Sequence, residues 1–436
     1  MLLRIKIKNF LSIHGEQSFD MFPNPLLTRF HSHIIDDKVS LMTYASIYGA
    51  NSAGKSNFIK AFIFLQRFIT QDDFLRGRSS SDYKYALISD NNAPVVITIE
   101  FKESGAYYKY SFTWNDTISE TLWQLDPQKE TEHIIFQREG NMLKSDNVSD
   151  KRLVAMLLKQ NQHSSILSLN SKFPVLINRE TRLAYKWFRE TLRTVTTNSS
   201  IQSLIMMMQN NRKMLDFASD VFNTVGICDY LTIKETLLSE WVQTKKGSQY
   251  QASAPTEVQK ASNVSAKYNG REEFAISQKD GIKYVYEFSF IQKGEDDKQY
   301  EMDFDTQSEG SVRLLTMIPC LYEIVNKPVV YIVDEIEWSM HPLMVRAILR
   351  GFSKSPSKGQ LIFSTHMPYL MNQQELLRLD EMWISEKTNG FTTMRSLNDF
   401  IIDEDMDVER AYLLGRFGGI PIIKDTKIEE KRNGEE

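Results

Sequence analysis

The order of apolar and polar residues predicts a chain that mixes strands with helices. Residues 3–8 place Leu and Ile on one face and Arg and Lys on the other, which is the period of a half-buried strand. Residues 95–101 are rich in β-formers, and residues 107–114 carry an aromatic ring at nearly every second position. Because Gly105 lies between them, we predict an antiparallel hairpin. The pattern of residues 151–225 is mainly helical.

Three further apolar runs are nearly continuous, which is typical of strands buried on both faces. They are residues 41–48, 329–333 and 361–364; helical patterns follow the first at 58–65 and separate the other two at 343–352. Short buried strands connected by a helix indicate a parallel sheet. We therefore predict an α/β protein with a parallel or mixed core sheet, an antiparallel β subdomain and a helical insertion.

These patterns divide the chain into five parts. The polar stretch near the middle has few large apolar residues, so we predict a flexible loop there. The predicted parts are 1–150, the first part of the main unit with the β subdomain; 151–240, a helical insertion lobe; 241–275, the polar loop; 276–423, the second part of the main unit; and 424–436, a charged tail.

Composition excludes several classes of protein. The 436 residues are 42% hydrophobic and 25% charged, which is ordinary for a globular protein and rules out general disorder or a fibrous repeat. The net charge of -4 excludes a chain that coats nucleic acid with its whole surface. Cys228 and Cys320 are too few for a disulfide framework and favour a reducing compartment. No apolar run approaches the ~18 residues of a membrane span, so we expect a cytoplasmic protein without membrane contact.

A glycine-rich loop provides the first candidate chemistry. Residues 49–56 fit G-x-x-x-x-G-K-[ST], and they lie after a predicted strand and before a predicted helix. That setting makes a chance match the weaker explanation and predicts nucleotide binding, with Lys55 reaching the β- and γ-phosphates and Ser56 binding Mg²⁺. The predicted nucleotide contacts are Gly49, Asn51, Ser52, Ala53, Gly54, Lys55, Ser56 and Asn57.

Two carboxylates follow the apolar strand 329–333. The carboxyl ends of parallel strands meet at one edge of a sheet, so Asp334 and Glu335 should lie beside the glycine-rich loop. We expect Asp334 to be the second Mg²⁺ ligand and Glu335 to be the general base for the attacking water. A solvated acidic turn is the alternative, and the presence of the lysine loop disfavours it.

Two weaker signals complete the set. His366 follows the strand at 361–364 and could donate to a γ-phosphate, although a histidine that caps a turn is the more common explanation. Residues 308–311 predict a helix N-terminus, where Ser308 and Gly310 could form a second anion site or an ordinary cap. The predicted catalytic residues are thus Lys55, Glu335 and His366.

The chain resembles ABC-type ATPases over about residues 1–65 and 300–423. These ATPases contain four such motifs in the same order, namely a glycine-rich loop, a helix N-terminus like that at 308–311, an acidic pair after a strand, and a histidine after the next strand. Within that superfamily it is similar to the SMC, RecF and overcoming-lysogenization-defect group. The resemblance depends on the N-terminal strand through Phe10, on Asp334-Glu335-Ile336-Glu337 before His341-Pro342, and on the segment 412–421. That last segment is similar to the closing motif of short ATPases in two-gene phage-defence operons of the PARIS, AbiL or Septu kind.

The resemblance implies a homodimer, or a higher even oligomer, that closes around two ATP molecules. Ser308 and Gly310 of one subunit would then cap the phosphates bound by the other. The chain ends 70 residues after His366, which implies a separate effector, such as a Toprim or HNH nuclease. Three features depart from the family: the signature is Ser-Glu-Gly-Ser, no Q-loop glutamine can be placed, and no heptads predict a long coiled coil.

The distribution of charge leaves an alternative function open. Residues 151–213 contain eleven Lys or Arg and two Glu, a local charge of +9. Such a lobe could bind nucleic acid, as in a RecF-like repair ATPase, or an acidic viral protein, or it could simply be solvated. The basic residues that would test this are Arg182, Lys186, Arg189 and Arg193.

Overall fold

The computed structural model describes residues 1–27, 30–88, 92–146, 151–173, 178–195, 200–253, 265–268, 271–371, 376–403 and 406–421. The strands, in chain order, are β1 Leu2–Lys8, β2 Gln17–Asp20, β3 Ile34–Ile35, β4 Leu41–Met42, β5 Tyr44–Tyr48, β6 Val95–Glu103, β7 Ala106–Trp114, β8 Ile118–Asp126, β9 Thr131–Glu139, β10 Met142–Lys144, β11 Leu192–Val195, β12 Tyr230–Leu237, β13 Ser265–Tyr268, β14 Arg271–Lys279, β15 Ile282–Lys293, β16 Gln299–Asp303, β17 Val330–Val333, β18 Gln360–Thr365, β19 Met382–Thr388 and β20 Phe391–Ser396. The α-helices are α1 Lys55–Thr70, α2 Lys151–Gln160, α3 Ile166–Lys172, α4 Arg179–Lys186, α5 Ile201–Gln209, α6 Arg212–Thr224, α7 Leu238–Trp241, α8 Lys245–Ser253, α9 Glu309–Asn326, α10 Pro342–Ser353 and α11 Val408–Leu413.

A six-stranded sheet lies at the centre of the protein, in the order β11-β17-β18-β5-β19-β20. Its neighbouring strands are parallel except for the last pair, β19 and β20. Strands β5, β17 and β18 are buried along their whole length, which explains their continuous apolar sequence. The predicted α/β class with a mixed core sheet is confirmed.

The register of this sheet brings the predicted chemistry to one edge. Val333 of β17 pairs with Phe363 of β18, and Thr365 of β18 pairs with Tyr48 of β5. The glycine-rich loop, the two carboxylates and His366 each follow the carboxyl end of one of these strands. They therefore lie on the same edge of the sheet, as the pattern of strands predicts.

Two hydrophobic clusters cover opposite faces of the core sheet. Val330 and Ile332 of β17 belong to the first cluster, and Tyr331 and Val333 belong to the second, because side chains alternate along a strand. The first cluster also includes apolar residues of α1 and of an antiparallel sheet. The second includes residues of α5, α6, α9 and α10. The core sheet is therefore covered by apolar residues on both of its faces.

The antiparallel sheet has seven strands in the order β10-β9-β8-β7-β6-β1-β2. Strands β6 and β7 form the predicted hairpin, with Glu103 opposite Ala106. Strand β6 buries every second residue against the first cluster, so its alternating pattern is that of a sheet with one covered face. A five-stranded sheet contains β12 to β16, and β3 pairs with β4.

The region 151–225 differs from the prediction in one element. Its described residues contain five α-helices, but β11 at Leu192–Val195 is a strand that pairs in parallel with β17 at the edge of the core sheet. Four residues with Arg and Thr in the middle give too short an apolar signal for sequence analysis to detect. Residues before β11 join the first cluster and residues after it join the second, so this region packs on both faces of the core sheet.

The predicted polar loop 241–275 also contains regular structure. Helix α8 occupies Lys245–Ser253, where the Thr244 hydroxyl accepts the main-chain N–H of Gly247 at 3.0 Å and Lys246 pairs with Glu287 at 2.9 Å. Strand β13 pairs with β14. Residues 254–264 and 269–270, like the predicted tail 424–436, lie outside the described residues. None of the described helices combines the length and apolar character needed to cross a membrane.

Candidate nucleotide-binding site

The glycine-rich loop lies at the carboxyl end of β5 and leads into α1, which begins at Lys55. Asn51 and Ser52 are exposed at its crest. Gly54 precedes the helix in a left-handed conformation with a φ of 107°, and a Cβ atom there would lie 2.0 Å from Oγ1 of Thr392. Only glycine fits this position. The loop thus presents a helix N-terminus, which favours an anion.

Hydroxyl groups support this loop from outside. Oγ of Ser385 and Oγ1 of Thr392 both donate to the carbonyl of Ala53 at 3.0 Å. Asn57, a predicted nucleotide contact, donates its side-chain amide to Oγ of Ser12 at 2.9 Å. That Ser12 oxygen lies 2.8 Å from Oγ1 of Thr392. Sequence analysis did not identify these supports, because they come from parts of the chain more than 300 residues apart.

The ammonium group of Lys55 folds back into the loop. Its Nζ donates to the carbonyl of Gly49 at 2.7 Å and to that of Ala50 at 3.1 Å. The same Nζ lies 3.2 Å from Nδ1 of His366. Burial lowers the pKa of Lys55 to about 8, although the carboxylates of Glu337 and its neighbours oppose this shift. Phosphate oxygens could replace the two carbonyls as acceptors.

Asp334 and Glu335 follow β17, and Ser364 of β18 holds both. The Ser364 hydroxyl donates to Oδ1 of Asp334 at 2.6 Å and accepts the main-chain N–H of Glu335 at 2.8 Å. Glu335 has a φ of 48°, so the chain turns sharply between the two carboxylates. The only signal in the sequence for Ser364 is a hydroxyl near the end of an apolar strand.

His366 joins the lysine to the carboxylates. Its Nε2 lies 3.6 Å from Oε1 of Glu335, while Nδ1 faces Lys55. A charged lysine can only donate, so Nδ1 accepts and the imidazole proton is on Nε2, towards Glu335. The main-chain N–H of His366 donates to the carboxylate of Glu337. The structure therefore brings together the three predicted catalytic residues.

Ser308 and Gly310 lie in the first turn of α9. Ser308 is the N-cap, and its Oγ accepts the main-chain N–H of Ser311 at 3.2 Å. A Cβ atom at Gly310 would lie 2.7 Å from the carbonyl oxygen of Ser339. The turn is therefore both an ordinary cap and a close neighbour of the loop that follows Glu335 in the same chain.

Arg313, which sequence analysis did not identify, joins α9 to the main chain at Asp334 and Glu335. Its Nη2 donates to the carbonyl of Asp334 at 3.2 Å and to that of Glu335 at 3.4 Å. The side chain is 4% exposed, and burial lowers the pKa of its guanidinium while the nearby acids oppose the shift. An arginine among the apolar residues of α9 is the signal that the sequence offers.

The oxygen donors predicted for Mg²⁺ are Oγ of Ser56 and the carboxylate of Asp334. Both residues are partly buried, and Ser364 already orients Oδ1 of Asp334. Mg²⁺ prefers oxygen ligands and shares its coordination shell with phosphates and water, so it needs few protein donors. These two side chains fit that chemistry.

Comparison with known protein families assigns a family to the chain. A family model described as "AAA domain, putative AbiEii toxin, Type IV TA system" matches residues 45–223 and 235–372. The matched ranges contain the glycine-rich loop, the first turn of α9, the carboxylates and His366, and they cover more than half of the chain. No curated protein matches the chain.

Several solved structures of SMC heads are similar to the chain. The SMC head domain from Thermotoga maritima is 12% identical with a TM-score of 0.40, over 91% of this chain and 98% of that one. An SMC head bound to the C-winged helix domain of ScpA is 12% identical with a TM-score of 0.44, over 91% and 97%. An SMC head with an extended coiled coil, from Pyrococcus furiosus, is 11% identical with a TM-score of 0.37. These are distant likenesses.

Proposed function

Because the chain belongs to this family of AAA domains, we propose that it binds ATP with Mg²⁺ and hydrolyses it to ADP and phosphate. The observation that supports this most is the convergence of Lys55, Glu335 and His366 within hydrogen-bonding and ion-pair distances at one sheet edge. These residues come from three separate parts of the chain, and a chance motif would not bring them together.

Each residue has a distinct task in this proposal. Lys55 would exchange the carbonyls of Gly49 and Ala50 for the β- and γ-phosphates, and Ser56 and Asp334 would hold Mg²⁺. When bound, the metal would supply charge neutralisation at the phosphates. Glu335 takes the proton of the attacking water, and His366 donates from Nε2 to the developing charge.

The active form in this proposal is a homodimer. The first turn of α9 presents Ser308 and main-chain N–H groups, which would cap the γ-phosphate bound by the partner subunit. Arg313 connects this turn to the backbone of Asp334 and Glu335 in its own chain. Closure on one nucleotide would therefore be communicated to the other site.

The cellular role we propose is control of a separate effector, such as a nuclease, in defence against phage. Two observations support it: the resemblance of residues 412–421 to a closing motif, and a family description that names a toxin of a TA system. Co-purification with the product of the adjacent gene tests this role. A chain that purifies alone and by itself restores phage resistance would count against it.

Two Glu→Gln variants test hydrolysis, one inside the site and one outside it as the control. Glu335→Gln is expected to lower the turnover rate by about 100-fold or more while ATP remains bound, and to give ATP-dependent dimers in light scattering. Glu139→Gln, at an exposed carboxylate on β9, is the control and should behave as the wild type. Lys55→Ala should abolish nucleotide binding.

Three results would contradict the proposal in different ways. Wild-type turnover in Glu335→Gln would show that the general base is wrong. Tight ATP binding with negligible single-turnover hydrolysis in the wild type would indicate a nucleotide-gated structural protein. Absence of nucleotide binding in the wild type would remove the proposal altogether.

A second candidate function is nucleic-acid binding. Arg189 and Arg193 line an open cleft of about 580 Å³ beside β11, and Arg182 and Arg189 are exposed. Lys186 pairs with Glu103 and Arg193 with Glu323, so part of the basic charge is neutralised. Charge reversal at Arg182 and Arg189 should weaken salt-sensitive DNA binding that depends on ATP. No binding in any nucleotide state would eliminate this candidate.

A further inference from the structure

The last described segment of the chain contacts the glycine-rich loop directly. We call residues 412–420 the closing strap. The carbonyl of Gly419 accepts the main-chain N–H of Ala50 at 2.6 Å, and it also accepts the hydroxyl of Tyr412 at 3.0 Å. A peptide group of the loop is therefore held by a residue 369 positions away in the chain.

A second set of contacts holds the strap against the β19–β20 hairpin. The N–H of Gly419 donates to Oε1 of Glu386 at 3.4 Å, and Arg395 donates to Oε2 of the same carboxylate at 2.9 Å. Arg395 also donates to the carbonyl of Phe417, whose ring is fully buried. The hairpin that anchors the strap is the one whose Ser385 and Thr392 hydroxyls hold the loop at Ala53.

The backbone of the strap can approach the loop only because residue 419 is glycine. Its φ is +71°, and an added Cβ atom would lie 2.6 Å from Cγ2 of Ile384 and 3.2 Å from the carbonyl oxygen of Ser385. Both are parts of strand β19, so a side chain would force the strap away from the sheet. The Ala50–Gly419 hydrogen bond would then lengthen or break.

We infer that the closing strap forms a wall of the nucleotide site and that Gly419 and Tyr412 are positioning residues for the phosphate loop. The Gly419 carbonyl fixes the peptide of Ala50, so the following N–H groups keep their orientation towards a phosphate. This inference rests on the nucleotide binding proposed above. By linkage, a nucleotide that binds the ordered loop must also stabilise the strap.

Two variants test the strap on the full chain. Gly419→Ala should raise the Kd for ADP and for ATP by about 10-fold, and Tyr412→Phe by roughly 3- to 10-fold, the equivalent of one hydrogen bond. The control is Gly281→Ala, because Gly281 has a similar φ of +81° but no atom within 4 Å of an added Cβ. It carries the same backbone strain at a distance from the loop, so its Kd should remain that of the wild type.

Hydrogen exchange provides a readout that a merely structural role would not change. In the Glu335→Gln protein, ATP with Mg²⁺ should slow exchange in a peptide covering residues 408–420, while a peptide covering residues 282–293 of β15 stays unchanged. The inference is overturned if both strap variants keep the Kd values of the wild type, or if ATP does not change hydrogen exchange in the strap. Either result leaves ATP binding intact. Absence of ATP binding in the wild type would instead refute the proposed function, and the inference with it.

Discussion

At the scale of single residues, the site depends on side chains that hold other groups in place. Ser364 contacts two neighbouring acidic residues, since its hydroxyl donates to Oδ1 of Asp334 and accepts the main-chain N–H of Glu335. The hydroxyl of Thr392 holds the glycine-rich loop in a similar way, since it donates to the carbonyl of Ala53 and lies within hydrogen-bonding distance of Oγ of Ser12. Such hydroxyls reduce the freedom of the reacting groups before a ligand arrives, which is the principle of preorganisation.

Replacement of Ser364 by Ala should slow hydrolysis with a smaller effect on ATP affinity. The change removes one hydrogen bond to each carboxylate residue, and a loss of about 1–1.5 kcal/mol at the transition state lowers kcat by about 10-fold. Steady-state phosphate release gives kcat and KM separately. Ser364→Thr retains the hydroxyl and should recover most of the rate. Equal kcat values in the Ala and wild-type proteins would show that this hydroxyl does not position the carboxylates.

At the scale of elements, the sequence predicts those strands and helices whose apolar pattern depends only on their own residues. Strands β5, β17 and β18 could be predicted because both faces are buried, which leaves an uninterrupted apolar run. Strand β11 could not be, because its place depends on pairing with β17, which lies more than 130 residues later. The motifs predicted the loop and the carboxylates. The Arg313 link and the Gly419 contact depend on packing between distant segments, which no local pattern encodes.

The junction between β8 and α3 provides a test of element packing. The carboxylate of Glu120, fully buried in β8, accepts Nη1 of Arg138 at 2.7 Å, the hydroxyl of Tyr110 at 2.6 Å and the N–H of Ile166 at 3.1 Å. Glu120→Ala would leave the Arg138 charge buried without its partner, so the free energy of unfolding should fall by about 3–5 kcal/mol. Urea unfolding followed by circular dichroism measures this loss.

Glu132 is the matched control for that prediction. It is an exposed carboxylate on the neighbouring strand β9, and its ion-pair partner is Lys109 of β7. Glu132→Ala should change the free energy of unfolding by less than about 1 kcal/mol, since exposed ion pairs contribute little. If the two variants unfold at the same urea concentration, the buried network does not hold α3 to the sheet.

At the scale of the whole molecule, the core sheet places the two features that the proposed dimer would use. The glycine-rich loop, the carboxylates and His366 share the carboxyl edge of the sheet, whereas α9 packs in the second cluster on one face. Arg313 of α9 donates to the main-chain carbonyls of Asp334 and Glu335. In the homodimer proposed above, a triphosphate bound by the loop of one subunit would meet the α9 turn of the other, and two such contacts would close a symmetric dimer.

A mixture of two inactive variants tests whether the site is composite. Ser308→Arg blocks the α9 turn but leaves Glu335 intact, and Glu335→Gln removes the base but leaves the α9 turn intact. Each homodimer should be inactive, whereas a mixed dimer contains one complete site. Half of randomly paired dimers are mixed, so an equimolar mixture should regain about a quarter of the wild-type rate per mass of protein. If the α9 turn acts on the nucleotide of its own chain, the mixture will stay inactive, and the proposed dimer mechanism is wrong.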